Sequence, residues 1–344
     1  MNKRSSSHSS SSENETKGVP RTLDNKYNII KNLGGTVTTK AHLVKDINLK
    51  ETLAIKIAQK EEKEELEKEF DFLSSFDHPN IIKPFIFVSD AGISYEDDRK
   101  ELNSKTDEEE VMDQKMWAYF TWKFYENGDM FENISKGGPV HEGIARYYFH
   151  QLINAIEYLH SRHIVHRDIK LDNVLLDDNY QLMLIDFGFA EEVRVKGMKK
   201  YTDLEVAKAM GTTGYISPEQ IANDINEPIC RKKWDIFALG VVLFIMVKGG
   251  MPFVSPTRED EFYQYLLWGK KNYFWKAHQK RRTYPNKAFS ILSYELKWLI
   301  SDLLNPNPKD RPDISEIKEH PWMQKHDLLT DEEVKKMMSE RVLS

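Results

Sequence analysis

Apolar and polar residues alternate along residues 27–57, and glycines punctuate the pattern, as is typical of antiparallel strands. The following segment, residues 61–76, is charged at most positions. It nevertheless spaces Leu66, Phe70 and Leu73 as one face of a helix does. Together the two patterns predict a small antiparallel sheet with one helix.

From Gly143 onward the apolar residues follow a helical period instead. The positions that share one face of the first such helix are Ala145, Tyr148, Leu152, Ile156 and Leu159. The pattern predicts a larger, mainly helical region that continues to Trp322. The whole chain is therefore expected to be of the α+β class.

Three segments fall outside these patterns. Residues 1–26 are rich in serine and lack the apolar stretch of a secretory signal, so we expect a disordered tail. Residues 91–115 are strongly acidic and lie between two predicted strands. They are either a solvated inserted loop or a docking surface for a basic partner. The longest apolar run, residues 237–247, is too short to span a bilayer and predicts a buried helix.

The C-terminal segment, residues 324–344, predicts a short amphipathic helix. Thr330 and Glu333 have the spacing of a capping box, which marks the start of a helix. Val334 and Met338 then lie on one side, together with Met337. This apolar side either packs on the rest of the chain or binds a regulatory partner.

Composition narrows the class of function. The net charge is −6 with a pI near 6.0, which gives no electrostatic reason to expect binding to nucleic acid or to an anionic membrane. Cys230 is the only cysteine, so no intrachain disulfide can form. A lone cysteine suits a reducing compartment. We expect a cytoplasmic protein, with the nucleus as an alternative.

The residues with the clearest chemistry lie between positions 166 and 188. Asp168 and Asp186 are separated by a predicted strand, turn and strand, which would return the second carboxylate close to the first. Lys170 and Asn173 share the loop of Asp168. One carboxylate can accept a proton from an attacking hydroxyl, while the other, with an amide oxygen, can hold Mg²⁺ on nucleotide phosphates. A nearby lysine can neutralise a phosphoryl group during its transfer.

Two motifs here carry a resemblance to a known family. HRDIKLDN, which begins at His166, and DFG, which begins at Asp186, resemble the catalytic and metal-binding loops of eukaryotic protein kinases. The resemblance implies that Asp168 is the catalytic acid/base and that Lys170 contacts the transferred phosphate. It also implies that Asn173 and Asp186 are ligands of Mg²⁺ and that ATP is the nucleotide.

The resemblance extends over residues 27–323 and implies the two-lobed protein kinase fold. The N-lobe, residues 27–122, would hold the antiparallel sheet, one helix and the acidic insert at 91–115. The mainly helical C-lobe would run over residues 127–323. The helical tail at 324–344 would follow it.

The same resemblance assigns the nucleotide site. Lys56, 22 residues after Gly34, matches the lysine that contacts the α- and β-phosphates, and Glu69 matches the helix glutamate that pairs with it. Lys123 and Tyr125 would bind adenine through their backbone. The residues implied at the site are Leu33, Gly34, Gly35, Thr36, Ala41, Ala54, Lys56, Glu69, Lys123, Tyr125, Asp129, Asn173 and Asp186.

The phosphate loop departs from the family pattern. Gly34 is retained, but Thr36, Thr39 and Ala41 stand where the family has Gly, Gly and Val. Loop length is preserved, while the added Cβ atoms restrict how closely the backbone approaches a phosphate. Trp122 adds a large side chain just before the hinge. We expect weaker binding of ATP rather than lost chemistry.

Three further matches bear on the substrate. Thr212 stands where Ser/Thr kinases contact the Asp168–Lys170 pair, which favours Ser/Thr over Tyr as acceptor. The motifs are loosely similar to those of the calcium/calmodulin-dependent and AMP-activated groups. Asp129 and Asp172 match acids that hold an arginine upstream of the acceptor, although both can equally be ordinary surface acids. Ser7, with Arg4 three residues earlier, would then be a candidate autophosphorylation site.

Regulation is less defined by the motifs. In the family, the arginine that matches Arg167 pairs with a phosphorylated residue. Here Lys208 stands at the position of that phosphorylated residue. Either Tyr201 or Thr202 is phosphorylated, or an acid such as Glu205 takes the place of the phosphate.

Other matches imply structural pairs. Asp235 would brace the catalytic loop, and Glu219 would pair with Arg311.

The leading hypothesis is therefore a Ser/Thr protein kinase that acts on protein substrates. A pseudokinase that binds nucleotide as a scaffold is the alternative, since it would explain Thr36 and Trp122. A small-molecule phosphotransferase of the same fold is disfavoured by the segment GTTGYISPE at 211–219, which resembles the family's peptide-binding platform.

Overall fold

The structure is a computed structural model that describes residues 20–36, 38–95, 117–193, 212–222, 231–280 and 291–342. The chain divides into two compact units. The first comprises residues up to Glu64 together with Phe85–Phe124, and the second comprises Glu65–Pro84 and everything from Tyr125 onward.

The first unit is built on a seven-stranded sheet with the strand order β5-β7-β4-β3-β2-β1-β6. The strands are β1 (Pro20–Leu23), β2 (Tyr27–Gly35), β3 (Thr39–Asp46), β4 (Thr52–Gln59), β5 (Pro84–Ala91), β6 (Ile93–Tyr95) and β7 (Trp117–Lys123). Strands β1 to β4 and β7 pair with their neighbours in antiparallel fashion, as the alternation in the sequence predicts.

The sheet must curl, because β5 and β6 are its two edges although only Gly92 separates them along the chain. Side chains of these strands form the core of this unit. Tyr27 and Tyr119 meet there edge to face, with ring centroids 5.9 Å apart. The buried residues of this cluster are Leu23, Tyr27, Val44, Ile55, Ile57, Ala91 and Tyr119.

The predicted boundary of the N-terminal tail is wrong. We expected residues 1–26 to be disordered, but Pro20–Leu23 forms β1, which pairs with both β2 and β6. Leu23 is completely buried in the core. A four-residue strand is too short to show an alternation of its own, so the pattern alone could not reveal it.

The acidic stretch at 91–115 is also not a loop throughout. It begins with the end of β5 and then forms β6, whose residues pair with β1. The rest of the stretch, from residue 96, lies outside the described residues.

Helix α1 (Lys63–Ser75) follows a short 3₁₀ turn at Lys60–Glu62. Leu66 and Leu73 are buried as the spacing predicts, and Phe70 is half-buried. From Glu65 onward the helix clusters with the second unit, although we assigned it to the N-lobe. Glu69 of the helix accepts a hydrogen bond from Phe187 N–H, and Phe76, directly after the helix, packs on the ring of Phe187 with centroids 5.3 Å apart.

The second unit is mainly helical, as predicted. Its helices are α2 (Met130–Gly137), α3 (Glu142–Ser161), α4 (Pro218–Ala222), α5 (Lys232–Lys248), α6 (Tyr263–Leu267), α7 (Lys271–Lys280), α8 (Tyr294–Leu303), α9 (Ile314–Glu319) and α10 (Asp331–Val342). Short strands accompany them: β8 (Ile164–Val165), β9 (Val174–Leu176), β10 (Leu182–Leu184) and β11 (Glu191–Glu192). Two 3₁₀ turns complete it, Leu171–Asn173 and Pro308–Asp310.

Helix α5 is the centre of this unit. Every residue from Trp234 to Val247 is buried, which explains the long apolar run in the sequence. Helices α3 and α8 pack on it. Gly240 allows the close approach of α8, because a Cβ there would lie 2.8 Å from the Cβ of Leu303. Among the described residues no helix combines the length and apolar character needed to cross a membrane.

The C-terminal helix α10 packs on this unit. The capping box is present: Thr330 N–H donates to the Glu333 carboxylate, and Glu333 N–H donates to the Thr330 hydroxyl. Val334 and Met338 are completely buried. Arg341 donates to the carbonyl oxygens that follow α2. Of the two alternatives for the apolar side of this helix, the structure favours packing within the chain.

A buried ion pair joins α4 to the segment before α9. Both guanidinium NH₂ groups of Arg311 donate to the carboxylate of Glu219, at 2.6 and 2.7 Å. Arg311 also donates to the carbonyl oxygens of Asn305 and Lys233. Its side chain is fully buried and that of Glu219 is 10% exposed, so neither charge has water as an alternative partner.

Arg311→Met should therefore destabilise the protein by about 3–5 kcal/mol, because it leaves a desolvated carboxylate unpaired. Urea unfolding at constant m-value measures the change. The matched control is Lys318→Met, which breaks the pair between Lys318 and Glu157, whose side chains are 41% and 45% exposed. This variant should cost less than about 1 kcal/mol. Equal losses for the two variants would contradict the prediction.

Candidate active site

One face of the sheet in the first unit gathers predicted nucleotide residues from three strands. Gly34 on β2 is the register partner of Ala41 on β3, and Ala41 is the partner of Lys56 on β4. Ala54 lies two residues before Lys56 on β4, and it is the register partner of Trp122 on β7. Because register partners, and residues two positions apart on one strand, share a face, these residues lie on one face of the sheet.

The tip of the β2–β3 hairpin is closed by hydrogen bonds. Thr36 N–H donates to the Thr39 carbonyl oxygen at 2.7 Å, and Thr39 N–H donates to the Thr36 hydroxyl at 3.1 Å. We expected the loop N–H groups to face phosphate oxygens, but these two are engaged within the turn. The Thr36 side chain thus does more than add bulk, which the motif comparison could not reveal.

Two residues shape the approach to this turn. The side-chain oxygen of Asn32 accepts from Gly34 N–H at 2.8 Å. Gly35 has φ +117°, and a Cβ there would lie 2.4 Å from the Thr39 carbonyl oxygen. The turn therefore requires Gly35, although the family pattern allows any residue at this position. Leu33, beside them on β2, is 40% exposed.

The segment that leaves the sheet carries the other predicted adenine residues. Lys123 is the last residue of β7, and at Tyr125 the chain enters the second unit again. Trp122 is buried, and its ring lies 5.5 Å from that of Phe120.

In the second unit the catalytic cluster is assembled around Asp168. Lys170 Nζ donates to Asp168 Oδ2 at 2.6 Å and to the Thr212 hydroxyl at 2.8 Å. The hydroxyl and the N–H of Thr212 both donate to Asp168 Oδ1 at 3.2 Å. Thr212, 44 residues after Asp168, thus closes a network with Asp168 and Lys170. Asp168 is 3% exposed, so its charge depends on these donors.

Asn173 and Asp186 lie beside this network. The amide nitrogen of Asn173 donates to the main-chain oxygen of Asp168 at 2.8 Å and to its Oδ2 at 3.1 Å. The amide oxygen of Asn173 is therefore directed away from Asp168. Ile185 N–H donates to the Asn173 carbonyl at 3.0 Å, which brings Asp186, at φ +63°, next to Asn173. An amide oxygen and a carboxylate are ligands that suit Mg²⁺.

The backbone of the catalytic loop is held by Asp235 of α5. One carboxylate oxygen of Asp235 accepts from His166 N–H at 3.0 Å and the other accepts from Arg167 N–H at 2.9 Å. His160 lies 2.8 Å from the same carboxylate. Burial alone would raise the pKa of Asp235. The hydrogen bond and charge of His160, together with the loop N–H groups, outweigh burial and lower the pKa.

His166 is completely buried between this carboxylate and the DFG segment. Burial lowers the pKa of His166, which favours the neutral imidazole. Its ring packs on Phe187, with centroids 4.7 Å apart. Glu69, which is 4% exposed, accepts from Phe187 N–H at 3.2 Å. The helix glutamate thus contacts the DFG backbone directly.

The Lys56–Glu69 ion pair that the resemblance implies would join the two units, and it stays a prediction.

Asp129 and Asp172 form an acidic pair in the second unit. Asp129 is the N-cap of α2 and accepts from Glu132 N–H at 2.7 Å. Burial raises the pKa of Asp129, and the negative charge of Asp172 raises it further.

One feature of the site was missed from the sequence. The carboxylate of Glu191, on β11, accepts from Arg167 at 2.5 Å and also from Arg231. We had proposed a phosphate or Glu205 as the partner of Arg167. Glu191 was overlooked because it follows the DFG motif by only three residues, and only the pairing of β11 with β8 brings it to Arg167.

Comparison with known proteins identifies the family. The family model of the protein kinase domain matches residues 27–323. The chain belongs to the protein kinase family. The two-lobed kinase fold that the motifs imply is therefore confirmed, with its antiparallel sheet in the first unit and its helices in the second.

Several curated kinases are similar to this chain. CBL-interacting protein kinase 11 of Oryza sativa subsp. japonica is 30% identical over 312 residues, which cover 88% of this chain and 52% of the relative. CBL-interacting serine/threonine-protein kinase 10 of Arabidopsis thaliana is 30% identical, covering 89% and 55%. CBL-interacting protein kinase 26 of Oryza sativa subsp. japonica is 31% identical, covering 88% and 53%. The chain thus spans just over half the length of these relatives.

Several predicted regulatory residues lie outside the described part of the chain. They are Arg4, Ser7, Tyr201, Thr202, Glu205 and Lys208, and Cys230 lies outside it as well.

Proposed function

We propose that this chain is a Ser/Thr protein kinase that transfers the γ-phosphate of ATP, bound with Mg²⁺, to a protein hydroxyl. The observation that carries the proposal is the hydrogen-bonded network of Asp168, Lys170 and Thr212. Membership of the protein kinase family and the names of the Ser/Thr kinases that resemble it support the same activity.

The network supplies what phosphoryl transfer needs from the protein. Asp168 can orient an acceptor hydroxyl and receive its proton, because its carboxylate is fixed by donors on both oxygens. Lys170 can stabilise the negative charge that develops on the transferred group. Asn173 and Asp186 would hold Mg²⁺, which neutralises charge on the phosphates when it is bound. In the first unit Lys56 would contact the α- and β-phosphates, and the backbone of Lys123 and Tyr125 would bind adenine.

A pseudokinase is the second candidate. It is favoured by the hairpin tip, where Thr36 and Thr39 engage each other's backbone and leave two fewer N–H groups for phosphate. It does not account for the network around Asp168, which a scaffold would not need.

The first test is transfer of labelled γ-phosphate from Mg·ATP to a serine peptide with arginine three residues before the acceptor. Asp168→Asn should reduce kcat by at least about 10³-fold, because the acceptor loses its proton acceptor and orienting carboxylate. A tyrosine peptide of the same sequence should be a poor substrate. Equal transfer by wild type and Asp168→Asn would exclude the kinase and favour the pseudokinase.

A second prediction concerns the hairpin tip. Thr36→Gly should lower the KM for ATP about two- to tenfold, as expected for freeing one donor worth about 0.5–1.5 kcal/mol. Thr36→Val keeps the shape but loses the hydroxyl, so its KM should fall between those of wild type and Thr36→Gly. Steady-state kinetics against ATP measures both. An unchanged KM in Thr36→Gly would mean that the loop is already adequate for phosphate.

We also propose a preference for a basic residue upstream of the acceptor. The acidic pair supports it, since a guanidinium near Asp129 and Asp172 would relieve their mutual repulsion. An arginine at a half-buried carboxylate binds through charge-assisted hydrogen bonds of about 1.5–3 kcal/mol.

The raised pKa of Asp129 makes this preference depend on pH. As the pH falls through that pKa the carboxyl becomes neutral, so the KM for the arginine peptide should rise relative to that for an alanine peptide. Asp129→Asn should raise the KM for the arginine peptide roughly tenfold and remove its extra pH dependence. Asparagine is an equally good N-cap, so α2 should remain intact. A pH profile of KM that is the same for both peptides would refute the assignment.

Partners and location remain proposals. The relatives are named for interaction with CBL, whereas here the apolar side of α10 is buried against the chain's own second unit. We therefore propose the acidic insert rather than α10 as the site for a regulatory partner.

A cytoplasmic location, with the nucleus as the alternative, is supported by the single cysteine.

A further inference from the structure

Arg167 immediately precedes the catalytic Asp168 and has an unusual backbone conformation. Its φ is +70°, which side chains other than glycine rarely adopt and which persists only where the surroundings hold it. The backbone N–H of Arg167 is bound by Asp235. Its side chain is only 11% exposed, so the guanidinium also requires a protein partner.

Glu191 is such a partner. One oxygen of its carboxylate accepts from Arg167 at 2.5 Å and the other accepts from Arg231, so the carboxylate bridges two guanidinium groups. Arg231 is anchored in turn, since its guanidinium lies 5.7 Å from the ring centre of Trp234 at the start of α5. The bridge therefore ties the catalytic loop to α5 through side chains, in parallel with the backbone contacts of Asp235.

The strand β11 gives the bridge its position. Glu191 is the register partner of Val165 on β8, two residues before Arg167. Val193 N–H donates to the His163 carbonyl at 2.6 Å and closes the other end of this pairing. Loss of the Glu191 charge would leave two poorly solvated guanidinium groups facing each other. We expect them to separate and to displace the loop that carries Asp168.

We propose that Glu191 is a positioning residue that holds the catalytic loop in its working arrangement, so that phosphoryl transfer does not require a phosphate on residues 194–211. The carboxylate supplies the anion that Arg167 needs, from a residue that is always present. This inference rests on the proposed kinase function.

The test uses the full chain after phosphatase treatment, with mass spectrometry to verify that residues 194–211 carry no phosphate. This wild-type protein should transfer phosphate to the serine peptide. Glu191→Gln should lower kcat on the order of 10- to 100-fold, the size expected from a small displacement of a catalytic group. The KM for ATP should change less than about threefold, because Glu191 acts on the loop and not on the nucleotide.

Two further variants separate the bridge from general damage. Glu192→Gln alters the next residue of the same strand, whose side chain faces the other way, and should leave kcat unchanged. Arg231→Gln should lower kcat by itself but add nothing to Glu191→Gln, because both act through one carboxylate.

Hydrogen exchange provides a readout that does not depend on activity. The amides of residues 163–170 should exchange faster in Glu191→Gln than in wild type or Glu192→Gln. If wild type and Asp168→Asn transfer equally, the kinase proposal fails, while exchange still tests the bridge. Equal kcat and equal exchange for Glu191→Gln and wild type would overturn the inference. So would a wild-type protein that becomes active only after residues 194–211 are phosphorylated.

Discussion

The buried carboxylate of Asp235 is the contact on which the rest of the second unit's chemistry depends. It sits at the start of the most apolar helix of the protein, where an ionised group is stable only if it is fully hydrogen bonded. The donors that satisfy it are the N–H groups of His166 and Arg167, so the requirement to pair one charge also fixes the backbone before Asp168. The backbone conformation of the catalytic loop therefore depends on burial of Asp235 in the core.

The two units use different means to place their functional groups. In the first unit the register of the antiparallel strands is enough, because pairing Gly34 with Ala41 and Ala41 with Lys56 puts all three on one face. In the second unit the groups lie on loops. Side-chain hydrogen bonds and ion pairs hold them, as Lys170 and Thr212 hold Asp168. Loops have no regular backbone pairing of their own, so charged and amide side chains supply the order.

The sequence patterns correctly predicted those elements that depend on interactions between residues close together in the chain. The apolar face of α3, the capping box before α10 and the buried helix at 237–247 are all as predicted, because each depends on residues within a few turns of one another. The strand at Pro20–Leu23 was missed, since its stability comes from pairing with β2 and β6 rather than from its own composition. Glu191 was missed as a partner of Arg167 for the same reason, since only the pairing of β11 with β8 brings the two together.

The sequence by itself determined the family, the fold class and the identity of the residues around Asp168, because motif and spacing preserve chemical types in order. Only the tertiary structure decided which groups neutralise each other. Glu191 faces Arg167 through the pairing of β11 with β8, and the Thr36 hydroxyl closes the hairpin tip on Thr39. Electrostatic and hydrogen-bond partners depend on distances of a few ångströms in space. A linear sequence does not contain those distances until the chain has folded.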